Sequence, residues 1–514
     1  MKKNLFKYIF VGVAAVSLAA CSDQLETYPS SSVSGEQLLG SATNALIPLN
    51  GTYRAMFTAG VSTDANTHQC FGISAYNLMA DVMGEDCIMS GQGSGWFWYD
   101  CVYNVKERYT STGWRSYDLW NGYYTWISNV NYIIAAAPEM TGSDSDKNYV
   151  LGQAYAVRAY SYFMLAQSFA RTYKGHENEP CVPIYTEPTN IETDGKPRST
   201  VQEVYTQITN DLTEAITRLT NTSKSRVNQT HINAAVAYGF QARVVLVMED
   251  WATARDAAVA AIKASGCTIG SGSVLTSGMN SATASNVMWG AEISTDQSGM
   301  YAGFFTHMDA DANAYGASAR KQINKLLYAK LGTNDIRREW WNPNDENNGE
   351  GGYQQEKFKF ADTQLWTGDY IWMRVEEMYL TAAEAYCRLG DEVNAKLYLN
   401  SVMKQRDSDY SCNKTGTALG ALTTDETGSL LEEIIIQRRI ELWGEFGRIY
   451  DIRRLKQGFT RTTEMGWPTS ALIQGRDTQD PESYAWVLTI PQTEFDGNPS
   501  LDQSKDQNPI GDHQ

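Results

Sequence analysis

Histidine is scarce in this chain. The 514 residues hold five, scattered, with no His-Glu-x-x-His pair among them. There is no Cys-x-x-Cys pair and no Gly-x-x-x-x-Gly-Lys-[Ser/Thr] run. A zinc hydrolase, a zinc ribbon, a dithiol redox centre and a P-loop therefore lack the residues that define them. Positive charge is also short: 42 Lys and Arg against 59 Asp and Glu give a net charge of −17. Nucleic acid and anionic lipid both need a basic face, so neither is an expected partner. Beyond residue 20 no run is apolar enough to span a bilayer.

Aromatic rings, by contrast, are plentiful: 14 Trp, 30 Tyr and 15 Phe. Most must fill the core of a chain that is 42% hydrophobic and 20% charged, ordinary values for a globular protein. A minority on loops would suit stacking against sugars.

The first twenty residues read as a secretory signal. Lys2, Lys3 and Lys7 form a basic start, and an apolar run of the right length spans 8–20. It ends in Leu18-Ala19-Ala20-Cys21, the pattern of a bacterial lipobox. Small residues admit the peptidase, and the Cys21 thiol takes the diacylglycerol. Lipid chains on Cys21 would then be the membrane contact. Residues 22–33 form a Ser-rich tether. Seven cysteines remain, odd in number and widely spaced, which excludes a small disulfide scaffold. Cys70, Cys87 and Cys101 are close enough to permit one bridge, but nothing demands it.

Helical periodicity dominates the rest, over 35–56, 114–137, 148–172, 200–219, 230–249, 374–406 and 430–455. Thr200 with Glu203 reads as a capping box. Ala242 and Ala254 are twelve apart around Glu249-Asp250, and Ala383 and Ala395 are twelve apart around Gly390-Asp391. Small residues so placed let two antiparallel helices approach closely, as in tetratricopeptide helix pairs. Three irregular blocks, 86–104, 266–319 and 342–352, interrupt the helices. The expected division is 21–265, a helical part with a first aromatic loop, and 266–514, a loop-rich block and long helices, within one domain.

In the last long helix, Leu431, Ile435, Leu442, Phe446 and Ile449 form one apolar stripe. Arg438, Glu441, Glu445 and Arg448 fall at spacings of three and four beside it. Glu441 and Glu445 tempt as an acid–base pair, but neighbouring Arg favours two ionised carboxylates, so a structural charge ladder along the helix is expected. Asp309-Ala310-Asp311-Ala312-Asn313 imitates the start of a calcium loop, yet Ala314 stands where Gly is needed and Arg320 where Glu is needed. No metal or cofactor is expected.

Arg374-x-x-Glu377-x-x-Leu380 leading into Ala383-Glu384-Ala385 resembles a signature of the SusD/RagB family of Bacteroidetes outer-membrane lipoproteins. Arg438-x-x-Glu441-Leu442, Glu445-x-x-Arg448-x-x-Asp451 and Arg453-Arg454 resemble its second signature, with Gln437 where Glu is usual. The linker around Pro183, Pro188 and Pro197, the Asp335-Ile336-Arg337-Arg338 run, and Asn498-Pro499-x-Leu501-x-Gln503 follow in the family's order. Ser22, Asp23 and Glu26 after Cys21 resemble the surface-export signal of such lipoproteins. The resemblance implies a mainly α, SusD-like fold: tetratricopeptide-like helix pairs plus a loop-rich half that holds the ligand. It also implies a lipid-anchored protein facing the outside of the cell, without catalysis. Its partner would be a SusC-like TonB-dependent transporter.

Trp96, Trp98 and Tyr99 follow the glycine-rich run 91–95. Tyr301, Phe304, Phe305 and Tyr315 lie in the second irregular block, beside Asp309, Asp311, Asn313 and Arg320. Rings there would take the C–H faces of a sugar, and amides or carboxylates its hydroxyls. These seven are the candidate ligand residues; the competing reading is a local hydrophobic plug for Trp96 and Trp98 and core burial for Phe304 and Phe305. The expected cargo is an oligo- or polysaccharide. The RagB side of the family admits a peptide or glycoprotein instead, and a surface glycoside hydrolase is a third reading.

Overall fold

The computed structural model describes residues 35–104, 109–344, 352–473 and 477–510. The signal segment, Cys21 and the tether lie outside them, as does most of the 342–352 block. The described chain is mainly helical. Its longer helices are α1 Ala42–Ala55, α2 Ile73–Val82, α3 Trp114–Ala135, α4 Asp144–Phe169, α5 Val201–Thr220 and α6 Ala234–Val247. They continue with α7 Trp251–Ser265, α8 Val375–Arg388, α9 Glu392–Met403, α10 Leu430–Glu441 and α11 Arg448–Arg454.

Local chemistry starts most of these helices. Ser41, Ser143, Thr200, Asn233, Asp250, Asp391 and Ser429 each accept a backbone N–H of the first turn, and Thr200 with Glu203 closes the capping box in both directions. Asp250 and Asp391 stand at equivalent places. Each caps the second helix of a pair and follows a left-handed residue, Glu249 at φ 60° and Gly390 at φ 80°. That tight turn makes α6/α7 and α8/α9 antiparallel hairpins. Ala242, Ala254, Ala383 and Ala395 are fully buried in them. Packing then runs in sequence: α1 on α3, α3 on α4, α4 on α5, α5 on α6, α6 on α7, α7 on α8, and α8 on both α9 and α10. No described helix is long and apolar enough to cross a membrane.

Two expected helices are broken. The 35–56 pattern divides at Gly40-Ser41, where Ser41 caps α1. The 430–455 pattern divides between Glu441 and Arg448. Gly444 and Gly447 there have φ of 76° and 100°, and a side chain on Gly447 would meet the Cβ of Ala80 on α2 at 2.7 Å. The close approach of α2 forces the break, so the charges do not form a ladder along one helix. Glu441 instead pairs with Arg374 (3.0 Å), Arg337 (3.3 Å) and Arg406 (2.6 Å). Glu445 pairs with Arg374 (2.7 Å) and Lys357 (2.5 Å), Arg438 with Asp451 (2.7 Å), and Arg448 with Glu85 (2.8 Å). Arg406 and Arg374 hold the buried Glu441 carboxyl well below the usual range, despite its burial. A carboxylate so held cannot act as a general acid.

Two small sheets position the loops. β2 (Val287–Ala291) pairs antiparallel with β6 (Tyr370–Arg374), and Trp289 is fully buried there. The other sheet has the order β1–β3–β5–β4, built from Cys87–Met89, Lys321–Ile323, Gln354–Gln355 and Trp341–Asn342. In it Met89 faces Lys321, and Ser90 N–H continues the ladder to the Arg320 carbonyl at 3.0 Å. The chain leaving β1 therefore runs beside the chain entering β3. The seven cysteines of the described residues are unpaired thiols, five of them buried.

Candidate functional site

Running side by side, these two segments bring together rings that are far apart in sequence. Gly93, at φ 53°, lies so close to the 318–319 segment that a side chain would stand 2.8 Å from the Ala319 Cβ. Glycine is needed there for both reasons. Trp96 follows that loop, and Tyr315 opens the short helix Tyr315–Ser318. Their ring centres are 5.9 Å apart at 64°.

A third segment closes the cluster. Gln69, in the single turn Thr67–Gln69, accepts the Phe97 N–H through Oε1 at 2.7 Å. His307 donates from Nε2 to the His68 carbonyl at 2.6 Å. Burial, with Lys321 nearby, pushes the His307 imidazole down to about 3, so it is neutral and its ring can lie flat in the core. Tyr315 stacks on His307 at 5.3 Å, and its hydroxyl is hydrogen-bonded to His68 Nδ1 at 2.5 Å. His68 then stands 5.0 Å from Trp96, 5.6 Å from Tyr315 and 5.8 Å from Tyr301. Tyr301 and Tyr315 are 5.9 Å apart.

The result is a four-ring platform, His68, Trp96, Tyr301 and Tyr315, drawn from three separate segments. Tyr301 is 52% exposed and the other three are half-buried. Phe71 and Phe97 lie beneath, stacked or edge-on against His307. Trp96 carries a buried Nε1–H with no hydrogen-bond partner. A donor left unmet in a buried position costs free energy.

Of the seven residues singled out from the sequence, Trp96, Tyr301 and Tyr315 meet here. Tyr99 is exposed, its ring edge next to Gly95. Trp98 (7% exposed), Phe304 (8%) and Phe305 (2%) do not. Trp98 heads the short helix Trp98–Cys101 and turns inward. Phe304 packs edge-on against Phe358, and Phe305 lies against Phe360 and Tyr370. These three are core residues, because helical turns at 98–101 and 304–308 direct them away from their exposed neighbours. His68 was missed: its sequence neighbours carry no aromatic pattern, and its partners come from positions 301 and 315.

A wider cleft, of about 410 Å³, lies between α3, the 185–195 linker and the 493–498 turn. Its polar groups are largely spent inside the protein. Tyr124 donates to the Pro183 carbonyl, Asn131 to those of Tyr185 and Glu187, Trp120 to Glu494, and Asn498 to the Lys196 carbonyl and Glu494. The cleft is built as a joint, whereas the platform carries an exposed ring, Tyr301. Among the described residues no cluster of His, Cys, Asp or Glu could hold a metal ion. Asp309, at the head of the calcium-like run, is buried and accepts the N–H groups of Asp311 and Phe360, while Asp311 pairs with Lys359 at 2.8 Å.

Residues 31–246 match a family model described as "starch-binding associating with outer membrane", and residues 300–509 match the model described as "SusD family". The chain belongs to the SusD/RagB family. A SusD-like protein of Formosa agariphila is 22% identical, the match covering 92% of this chain and 95% of the relative. Among solved structures, a SusD-like carbohydrate binding protein from Bacteroides vulgatus superposes with a TM-score of 0.77 at 24% identity, over 92% of this chain and 99% of that one. Surface glycan-binding protein A from Bacteroides thetaiotaomicron, in complex with laminarihexaose, gives 0.65 at 18% identity over 91% and 99%. The mainly helical SusD-like fold, with its tetratricopeptide-like helix pairs, is thereby established.

Proposed function

We propose that this chain is a cell-surface glycan-binding lipoprotein that captures an oligo- or polysaccharide and passes it to a SusC-like TonB-dependent transporter, without catalysis. The observation that carries the reading is the four-ring platform, with Tyr301 exposed and Trp96, His68 and Tyr315 half-buried. Pyranose rings present C–H faces to such rings. Family membership and the glycan-bound relative support the cargo class. The lipobox at Cys21 and the acidic residues after it support an anchor in the outer membrane with the platform facing outward.

The test is calorimetry with an oligosaccharide chosen on a glycan array. Trp96→Ala and Tyr301→Ala should each weaken binding by about 1–3 kcal/mol, about ten- to hundredfold, with the thermal transition in place. Trp98→Ala should lower the thermal transition instead. Unchanged affinity in both platform variants would sink the reading.

The anchor and the partner are tested together. Native protein, purified from gently solubilised outer membrane, should bring down a large barrel protein, and Cys21→Ala should be released in soluble form. A wild-type protein that repeatedly purifies alone counts against delivery to a transporter. A Cys21→Ala variant that stays with the membrane places the anchor elsewhere.

A further inference from the structure

We infer that His68 is a specificity-determining residue of the platform: its imidazole Nε2–H donates a hydrogen bond to an oxygen of the bound sugar. This rests on the glycan-binding reading above. His68 is held at three points. Its carbonyl accepts the His307 Nε2–H at 2.6 Å, its Nδ1 is bonded to the Tyr315 hydroxyl at 2.5 Å, and its ring stacks on Tyr301 at 25°. The next residue fixes the turn Thr67–Gln69 from the other side. Gln69 accepts the Phe97 N–H at 2.7 Å and, through its carbonyl, an Arg115 N–H at 3.1 Å. A ring pinned in this way gives up little further entropy when a ligand meets it.

The other ring nitrogen, Nε2, takes no part in this holding. Among the described residues it has no hydrogen-bond partner, and it reaches solvent from the half-buried ring. The Tyr315 bond decides what this nitrogen offers. A phenol is the better donor and an imidazole nitrogen the better acceptor, so the Tyr315 O–H donates to Nδ1. That leaves the hydrogen of the neutral ring on Nε2, and the protonated ring carries one there as well. Nε2 is therefore a donor in either form. It belongs to a ring whose centre lies 5.0 Å from Trp96, 5.6 Å from Tyr315 and 5.8 Å from Tyr301.

Aromatic faces alone discriminate poorly among sugars, whereas a few fixed polar groups set orientation and choice. A sugar that brings an acceptor oxygen to Nε2–H gains a hydrogen bond. One that brings a C–H there dehydrates the donor and leaves it unmet. The platform therefore selects a glycan with a hydroxyl or ring oxygen at the rim of the face that stacks, while the rings supply the attraction.

The experiment is calorimetry on the full mature chain with malto-, cello-, laminari-, xylo-, manno- and galacturonate oligosaccharides. The ligand carried forward is the tightest one whose affinity falls about tenfold or more in Tyr301→Ala. His68→Gln can place an amide N–H near the Nε2 position. His68→Asn can meet the Tyr315 hydroxyl from the Nδ1 position but reaches no further, and His68→Phe keeps a flat ring without nitrogen. The expected result is a loss of about three- to tenfold in His68→Asn and in His68→Phe, and of less than about twofold in His68→Gln. One monodeoxy analogue of the ligand should bind the wild type about three- to tenfold more weakly than its parent, and no more weakly still in His68→Asn. Should one of the two donor-free variants fail to fold, the other supplies the same comparison. Affinity kept in His68→Asn and lost in His68→Gln would make His68 a structural wedge, overturning the inference with glycan binding still standing. A monodeoxy series in which no analogue is weakened in the wild type overturns it as well, as does one whose losses all recur in full in His68→Asn. If no oligosaccharide depends on Tyr301, the platform reading itself is overturned, and this inference with it.

Discussion

Asp81 lies fully buried on α2. One carboxyl oxygen accepts the Arg448 N–H at 2.8 Å, and the other has no partner. Burial pushes its pKa up to about 8. The folded chain holds a proton that the unfolded chain gives up above about pH 4. The stabilising contribution is fully present below pH 4 and is lost as pH rises through 8. Asp81→Asn keeps the uncharged form and the acceptor oxygen at every pH. It should stabilise the protein by about 2–4 kcal/mol at pH 8 and by little near pH 4. Urea unfolding of both proteins at the two pH values measures this; a difference that does not change with pH would refute it. The site residues follow a related logic. Trp98 follows Trp96 by two positions yet is core, because the left-handed Phe97 (φ 60°) turns the chain between them.

The buried charge network joins β6, α8, α9 and α10. Arg374 closes β6, Glu376 opens α8, Arg406 follows α9, and Glu441 ends α10. Arg406 bridges Glu376 (3.1 Å) and Glu441 (2.6 Å), so one carboxylate removed leaves up to three guanidinium groups short of a partner. Glu441→Ala should cost about 3–5 kcal/mol, the scale for breaking one side of a buried pair. Adding Arg406→Ala should cost less than the sum of the two single losses, because the orphaned charge leaves with it. A double-mutant cycle by denaturant unfolding reads the difference, and strict additivity would mean the pair is not coupled. The network was only partly legible in the sequence. Caps and hairpin turns are local chemistry, so the helix pairs could be read directly. The apolar stripe through Leu442, Phe446 and Ile449 keeps helical spacing across the break, so nothing local marked Gly444 and Gly447 as more than two tolerated glycines. The cause is the contact with Ala80, more than 360 positions away. The platform divides in the same manner. Loop aromatics such as Trp96, Tyr301 and Tyr315 could be picked out by their setting. Phe304 and Phe305 share that setting but occupy one helical turn that points inward, and His68 becomes aromatic company only through the β1–β3 pairing.

The two halves of the chain are bound by groups that neither could leave exposed. The carboxylates of Glu85 and Asp86, from the first half, are met by Arg448 and Arg439 of the second at 2.8 Å. Trp443 donates its indole N–H to the Asp86 carbonyl. Arg461 gathers the carbonyls of Val82, Met83 and Gly84 at 2.8–2.9 Å, capping the C-terminal end of α2 where the helix dipole is negative. β1 has β3 as its sheet neighbour, and α6 of the first half packs on α8 of the second. Division at residue 265 would therefore strand several buried charges and an unpaired strand edge on each side, a penalty of several kcal/mol at each site. Residues 21–265 and 266–514 expressed separately should each lack a cooperative thermal transition and near-ultraviolet dichroism. The intact mature chain should unfold in one transition reported alike by both probes. A fragment that melts cooperatively on its own would show that the halves are independent domains. The ion pairs at Glu85 and Asp86 would then be an interface between them and no part of a shared core.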